Sequence, residues 1–187
     1  MIKELSELGK VLRAGKTDKE WVHDALKEEN ISLVLTIKVD GSFASLQSIE
    51  KKKTIAEAIQ RTSGKGARLL IDNCGYVLGV YDCESNAFKK KVKENGEQKA
   101  HDVHIKDTDE KIALFGERLR EVTDLKELQP VKLFYENEKA IADAISAFAK
   151  IPKKDRGGNI ALLVSGKDKY VHESDPVYHR IIDSYEV

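Results

Sequence analysis

The stretch Ile31-Ser32-Leu33-Val34-Leu35-Thr36-Ile37-Lys38-Val39 is rich in branched apolar residues with alternation, the pattern of a β-strand. Asp40-Gly41 follows, a strong hairpin-turn pair, and residues 43–49 return as the partner strand. A hairpin in this position orients everything on either side of it.

Upstream, Ile2, Leu5, Leu8, Val11 and Leu12 recur at helical spacing and Gly15 stops the pattern. Thr17 or Asp18 then caps a second helix whose buried face is Trp21, Val22, Ala25 and Leu26. Downstream comes a polar stretch with Lys51, Lys52 and Lys53, then Arg61-Thr62-Ser63-Gly64-Lys65-Gly66. Two short apolar runs follow. Residues 67–71 read as a strand, and residues 76–81 stay open between strand and helix. Residues 84–150 are helical in character, with a break at Asn95-Gly96 and apolar sets at Ile112, Phe115, Leu119 and at Ile141, Ala144, Ile145, Phe148. Pro152 to Gly158 ends that block. Residues 159–164, a turn at Ser165-Gly166-Lys167-Asp168 and residues 169–172 read as a second hairpin. Ser174 or Asp175 caps a last helix with Pro176 in its first turn. Helices, strands, helices, strands, helix is an α+β order with a mostly antiparallel sheet built from hairpins and several flanking helices.

Composition narrows the function. Of 187 residues 41% are hydrophobic, enough for an ordinary core without disulfides or metal. The 32 basic and 32 acidic side chains cancel, which argues against a general polyanion binder, so any nucleic-acid site must be a local patch. Cys74 and Cys83 form no CxxC pair and fit a reducing compartment. A charged first segment and the lack of a run of about 20 apolar residues predict a cytoplasmic protein with no membrane partner.

Several motifs fail on their own terms. Gly15-Lys16-Thr17 lacks the earlier P-loop glycine, since position 10 is Lys10, and a helix precedes it where a strand is required. No G-x-S-x-G elbow seats Ser63, so a Ser63, His172, Asp175 triad has no nucleophile turn. His101 and His104, with Asp102 and Asp107, have metal-like spacing in what reads as an exposed polar loop, and His172, Glu173 and His179 are no better. No metal, cofactor or catalytic residue is assigned.

The informative segment is 61–79. Thr62 and Ser63 offer hydroxyls, and Gly64 and Gly66 let backbone amides approach an anion. Between positions 51 and 68 stand Lys51, Lys52, Lys53, Arg61, Lys65 and Arg68 against the single acid Glu57. That concentration is the candidate phosphate-facing patch. Arg61, Lys65 and Arg68 should then share an exposed face. Asn73, at a turn just beyond, is the candidate for a base-edge contact, with a self-bonded turn as the competing account. Tyr76, Val77 and Leu78 read as core.

Arg61–Gly64, Leu69-Leu70, Asp72-Asn73 and Tyr76–Gly79 resemble, in order and spacing, the large subunit of type I-C CRISPR Cascade (the Csd family). Weaker likenesses are the strand and turn at 31–41 and the segments 159–164 and 170–173, while residues 84–150 match poorly. Proteins of that family are longer, so the resemblance implies that residues 1–187 correspond to an N-terminal domain, with 84–150 as a candidate subdomain. It further implies a non-catalytic antiviral-defence subunit. Such a subunit recognises the protospacer-adjacent motif (PAM) in duplex DNA. Its implied partners are the target DNA, the CRISPR RNA, other Cascade subunits and the helicase–nuclease. On that reading Arg61, Lys65 and Arg68 meet phosphates, Thr62, Ser63 and Gly64 complete the loop, and Asn73 meets a base edge. The alternatives are a protein-interaction domain whose 61–79 loop binds a partner protein, and a small hydrolase.

Overall fold

The computed structural model describes residues 23–59, 61 and 66–186. The helices expected over 2–14 and from 17, and Gly15-Lys16-Thr17, lie outside these residues, except for Ala25 and Leu26.

The hairpin is present and longer than the sequence suggested. β1 spans Leu26–Ile37 and β2 spans Phe43–Glu57. Leu26, expected on a helix face, opens β1, and Lys51, Lys52 and Lys53, read as a polar stretch beyond the hairpin, lie within β2, with Lys52 opposite Ile31 and Lys53 opposite Asn30. The lysines suit an edge strand, because charge there blocks further strand pairing.

β1 and β4 (Ile160–Val164) run parallel at the centre of the sheet, with Leu33 opposite Ile160 and Ile37 opposite Val164. β3 is only Ile71–Asp72 and pairs antiparallel with β4, giving the order β2-β1-β4-β3. The class is α+β as expected, but the sheet is mixed. The second hairpin does not form. After the turn at Gly166, residues 171–173 make a 3₁₀ turn, so β4 takes β1 and β3 as its neighbours.

A bulge at Ser32 sets which side chains face which layer. The amides of Ser32 and Leu33 both donate to the Asn159 carbonyl, at 3.2 and 3.1 Å. The register therefore slips, so that Leu33, Leu35 and Ile37 face one layer while Ile31 and Val34 face the other. Gly158 must be glycine here, since a Cβ would lie 2.5 Å from the Ser32 side chain.

The helices are α1 (Cys74–Val77), α2 (Asn86–Asn95), α3 (Glu97–Arg120), α4 (Gln129–Tyr135), α5 (Glu138–Phe148) and α6 (Asp175–Glu186). Their boundaries follow the sequence. Ser85 accepts the Phe88 amide at 3.1 Å to start α2, and Asn137 accepts the Ala140 amide at 3.1 Å to start α5. Gly96 at φ 85° separates α2 from α3, as Asn95-Gly96 indicated. Phe115, Leu119, Val131, Phe134, Ala144, Phe148, Val177 and Ile181 carry the buried stripes of α3 to α6 onto Leu33, Leu35, Leu162 and Val164. Each such aliphatic or aromatic side chain contributes about 1.5–3 kcal/mol. Among the described residues no helix is long and apolar enough to cross a membrane.

Candidate nucleic-acid interface

Residues 67–71 were expected as a strand; only Ile71 lies in one, and residues 67–70 are neither strand nor helix. Leu70, buried, sits at φ 65°, a left-handed conformation that costs a non-glycine residue about 1–3 kcal/mol. A ladder cannot continue through it, so side chains take over the backbone bonding. The Gly66 carbonyl accepts Arg61 Nε at 2.7 Å, and the Ala67 carbonyl accepts Arg118 Nη1 at 2.9 Å. The Arg68 amide donates to Asp72 Oδ2 at 3.0 Å, the Leu69 amide to Glu57 Oε1 at 3.1 Å, and the Asn73 amide to Asp72 Oδ1 at 2.9 Å.

Arg61 closes the base of the loop. Its guanidinium pairs with Asp72 and lies 4.3 Å from the centre of the Tyr76 ring. Asp72 is fully buried, and a carboxylate is tolerated there because Arg61 and two amides satisfy it. Arg61 keeps 27% of its side chain exposed. Thr62, Ser63, Gly64 and Lys65 lie outside the described residues. Arg68 differs from the exposed cation expected of it: it is 9% exposed, with Nη2 3.1 Å from Glu29 Oε1. The shared exposed face of Arg61, Lys65 and Arg68 is therefore not found at Arg68.

The basic excess of residues 51–68 is also reduced by acids from elsewhere. Lys53 pairs with Glu28 at 3.0 Å and Arg68 with Glu29, while Glu57, the one acid of that run, is taken up by Arg118. Lys52 lies 4.7 Å over the Tyr170 ring. Asn73 caps α1, its side-chain oxygen accepting the Gly75 amide at 3.1 Å. The turn account thus describes that oxygen. Tyr76, Val77 and Leu78 are core, as read.

Sequence reasoning missed Glu57, Arg118, Glu29 and the role of Asp72. Only an acid placed before an otherwise basic, glycine-containing loop pointed to Glu57.

The other candidates resolve differently. His101 and His104 stand on α3, packed with Tyr81 and Phe88 in a ring cluster, not in an exposed loop. Tyr81 Oη and His101 Nδ1 share a 2.5 Å hydrogen bond. His172 is buried, and Thr54 donates its only hydroxyl proton to Glu173 at 2.9 Å. His172 Nε2, 2.7 Å from Thr54 Oγ1, must then be the donor. Its Nδ1 is buried with no hydrogen-bond partner among the described residues, and burial holds the imidazole pKa down at about 3. With Nε2 committed to Thr54, His172 does not complete a triad with Asp175. No group of three or more metal-binding side chains occurs among the described residues. Cys74 is buried, its thiol pKa pushed up to about 11 by burial, and Cys83 is exposed.

The α+β scaffold thus fastens Arg61 to the Gly66 carbonyl, and residues 67–69 to Glu57, Asp72 and Arg118. A family model described as CRISPR-associated protein (Cas_Csd1) matches residues 10–186. The chain belongs to the Csd1 family of CRISPR-associated proteins, the type I-C Cascade family that residues 61–79 resemble. Comparison with curated proteins found no match.

Proposed function

We propose that the chain is a non-catalytic nucleic-acid-binding subunit of a type I-C surveillance complex. It recognises the protospacer-adjacent motif in duplex DNA and contacts the CRISPR RNA ribonucleoprotein. Lys65, with Thr62, Ser63 and the Gly64 backbone, meets phosphates. Arg61 holds the loop and offers its exposed part to the same phosphates, Arg68 supports from beneath, and the Asn73 side-chain amide reads a base edge. The family match supports the complex. The single observation that carries the DNA reading is the fastening of both flanks of the 61–66 loop, through Arg61 to Gly66 and through Asp72 to Arg68. Flanks that are already fixed leave less conformational freedom to be lost when a phosphate is bound.

The test is a titration of the assembled complex against duplexes with correct and incorrect flanking motifs at two salt concentrations. The logarithm of affinity should fall against that of salt by about 0.9 per phosphate contacted, and Lys65→Ala should remove about one contact from both duplexes. A salt-independent affinity, or a Lys65→Ala complex that binds like wild type, overturns it.

One observation favours a second reading. Arg61 and Arg68 both pair with carboxylates of this chain, as in a domain whose 61–79 segment meets a partner protein. Binding of another Cascade subunit by the isolated chain, lost in Lys65→Ala while duplex affinity stays unchanged, would support it.

A further inference from the structure

Glu57 and Arg118 form a two-pronged ion pair beside the backbone of residues 67–69. Arg118 Nη1 and Nη2 bind Glu57 Oε1 and Oε2 at 2.7 and 2.5 Å, joining the last residue of β2 to the last turn of α3. Such an ion pair can simply staple a strand to a helix. Here, however, each partner spends a further bond on the backbone beside the loop. Glu57 Oε1 also accepts the Leu69 amide, and Arg118 Nη1 also donates to the Ala67 carbonyl. Arg118 is itself oriented by Glu121, whose Oε2 accepts Nε at 2.5 Å. Leu69 adjoins Leu70, the position of unfavourable φ, and Ala67 stands three residues before it, so the two bonds brace the segment that leads into that position.

We propose that Glu57 and Arg118 are positioning residues: they act together as a backbone clamp that fixes residues 67–69, the segment that leads from Gly66 to β3. The chemistry is directional. A side-chain oxygen must stand at 57 to accept an amide proton, and a guanidinium at 118 to reach both oxygens of Glu57 and a carbonyl together. The clamp itself rests on geometry alone. Its consequence for DNA rests on the function proposed above.

The directionality supplies the test. Exchanging the charges, Glu57→Arg with Arg118→Glu, restores an ion pair between β2 and α3. It leaves the Leu69 amide without its acceptor and the Ala67 carbonyl without its donor. Glu57→Gln, in contrast, keeps an acceptor for Leu69 and leaves Arg118 free to donate to Ala67. Hydrogen exchange on the 187-residue chain reads the clamp without DNA. In the exchanged variant the Leu69 amide should exchange at least about tenfold faster relative to the Leu35 amide, with the melting temperature close to wild type. Glu57→Gln should stay within about threefold of wild type. In the assembled complex the exchanged variant should lose about tenfold in duplex affinity, and Glu57→Gln should not. If the exchanged variant does not fold, Arg118→Lys replaces it. A single ammonium cannot hold both carboxylate oxygens and the carbonyl, so Leu69 exchange should still rise about threefold with the fold intact.

Wild-type Leu69 exchange in the charge-exchanged variant or in Arg118→Lys overturns the clamp. Equal acceleration in Glu57→Gln and the exchanged variant overturns it too, because charge alone would then be what matters. If wild-type complexes show no salt-dependent duplex binding, the DNA reading falls while the exchange measurements still decide the clamp.

Discussion

The Arg61 guanidinium lies 4.3 Å over the Tyr76 ring while it pairs with Asp72, so one cation is held by a π face and a carboxylate at once. Tyr76 and Asp72 are both buried, and Arg61 is the partly exposed cover over them. The arrangement ties the start of the loop to β3 and α1, which follow the loop in the chain.

Asp72→Asn should therefore destabilise the fold by about 2 kcal/mol. An amide keeps one acceptor for the Arg68 or Asn73 N–H, but its NH₂ faces either another N–H donor or the Arg61 cation. A urea-denaturation midpoint measures this, and a change below about 0.5 kcal/mol would mean the pair carries no stability.

Asn73 needs a variant that separates cap from contact. Serine accepts the Gly75 amide as well as asparagine does at an N-cap, so Asn73→Ser should change stability by less than about 0.5 kcal/mol. If the amide group reads a base, the same variant should lose about 1–3 kcal/mol of discrimination between correct and incorrect flanking motifs. Equal affinities for wild type and Asn73→Ser on both duplexes would leave Asn73 a cap alone.

His172 sets an acid limb. Its folded pKa of about 3 lies below the unfolded value near 6.5. Above pH 6.5 both states carry neutral imidazole, and stability from this group is complete. Between about 6.5 and 3 the unfolded state binds the proton and the folded state does not, so stability falls with pH by up to about 1.4 kcal/mol per unit. Denaturation across pH 7 to 4 should show that slope, and His172→Gln should flatten it. A parallel slope in the variant would assign the acid limb to other groups.

Gly41 has φ +87°, and a Cβ there would lie 2.4 Å from the Leu133 Cβ and 2.8 Å from its carbonyl carbon. Gly41→Ala combines a left-handed backbone with a collision against α4, and should cost about 3 kcal/mol by equilibrium unfolding. A loss under about 1 kcal/mol would show that the turn moves off α4 freely.

The hairpin, the helical block and the final helix were legible because each is a local pattern: Asp40-Gly41 between alternating runs, a 3.6-residue period broken at Asn95-Gly96, Pro176 after a capping residue. What failed was non-local. Lys51, Lys52 and Lys53 read only as a polar stretch until β1 is known to place Ile31 and Asn30 opposite Lys52 and Lys53. Val171 and His172 look like a strand, but the edge they would have joined is taken by β1 and β3. The basic run 51–68 counted charge along the chain, whereas Glu28, Glu29 and Asp72 answer it across space. Glu57 and Arg118 left almost no trace, because nothing in either residue names its partner.

The parallel pairing of β1 with β4 has a kinetic side. Leu33 and Ile160 are neighbours in the sheet yet are separated in sequence by the β2 strand, the loop and five of the six helices. During synthesis the β1–β2 hairpin emerges early with an open, apolar inner edge, and must wait for residue 164 before that edge is sealed. The nascent chain is thus most open to wrong strand pairing, and most dependent on chaperones, during elongation through α2 to α5.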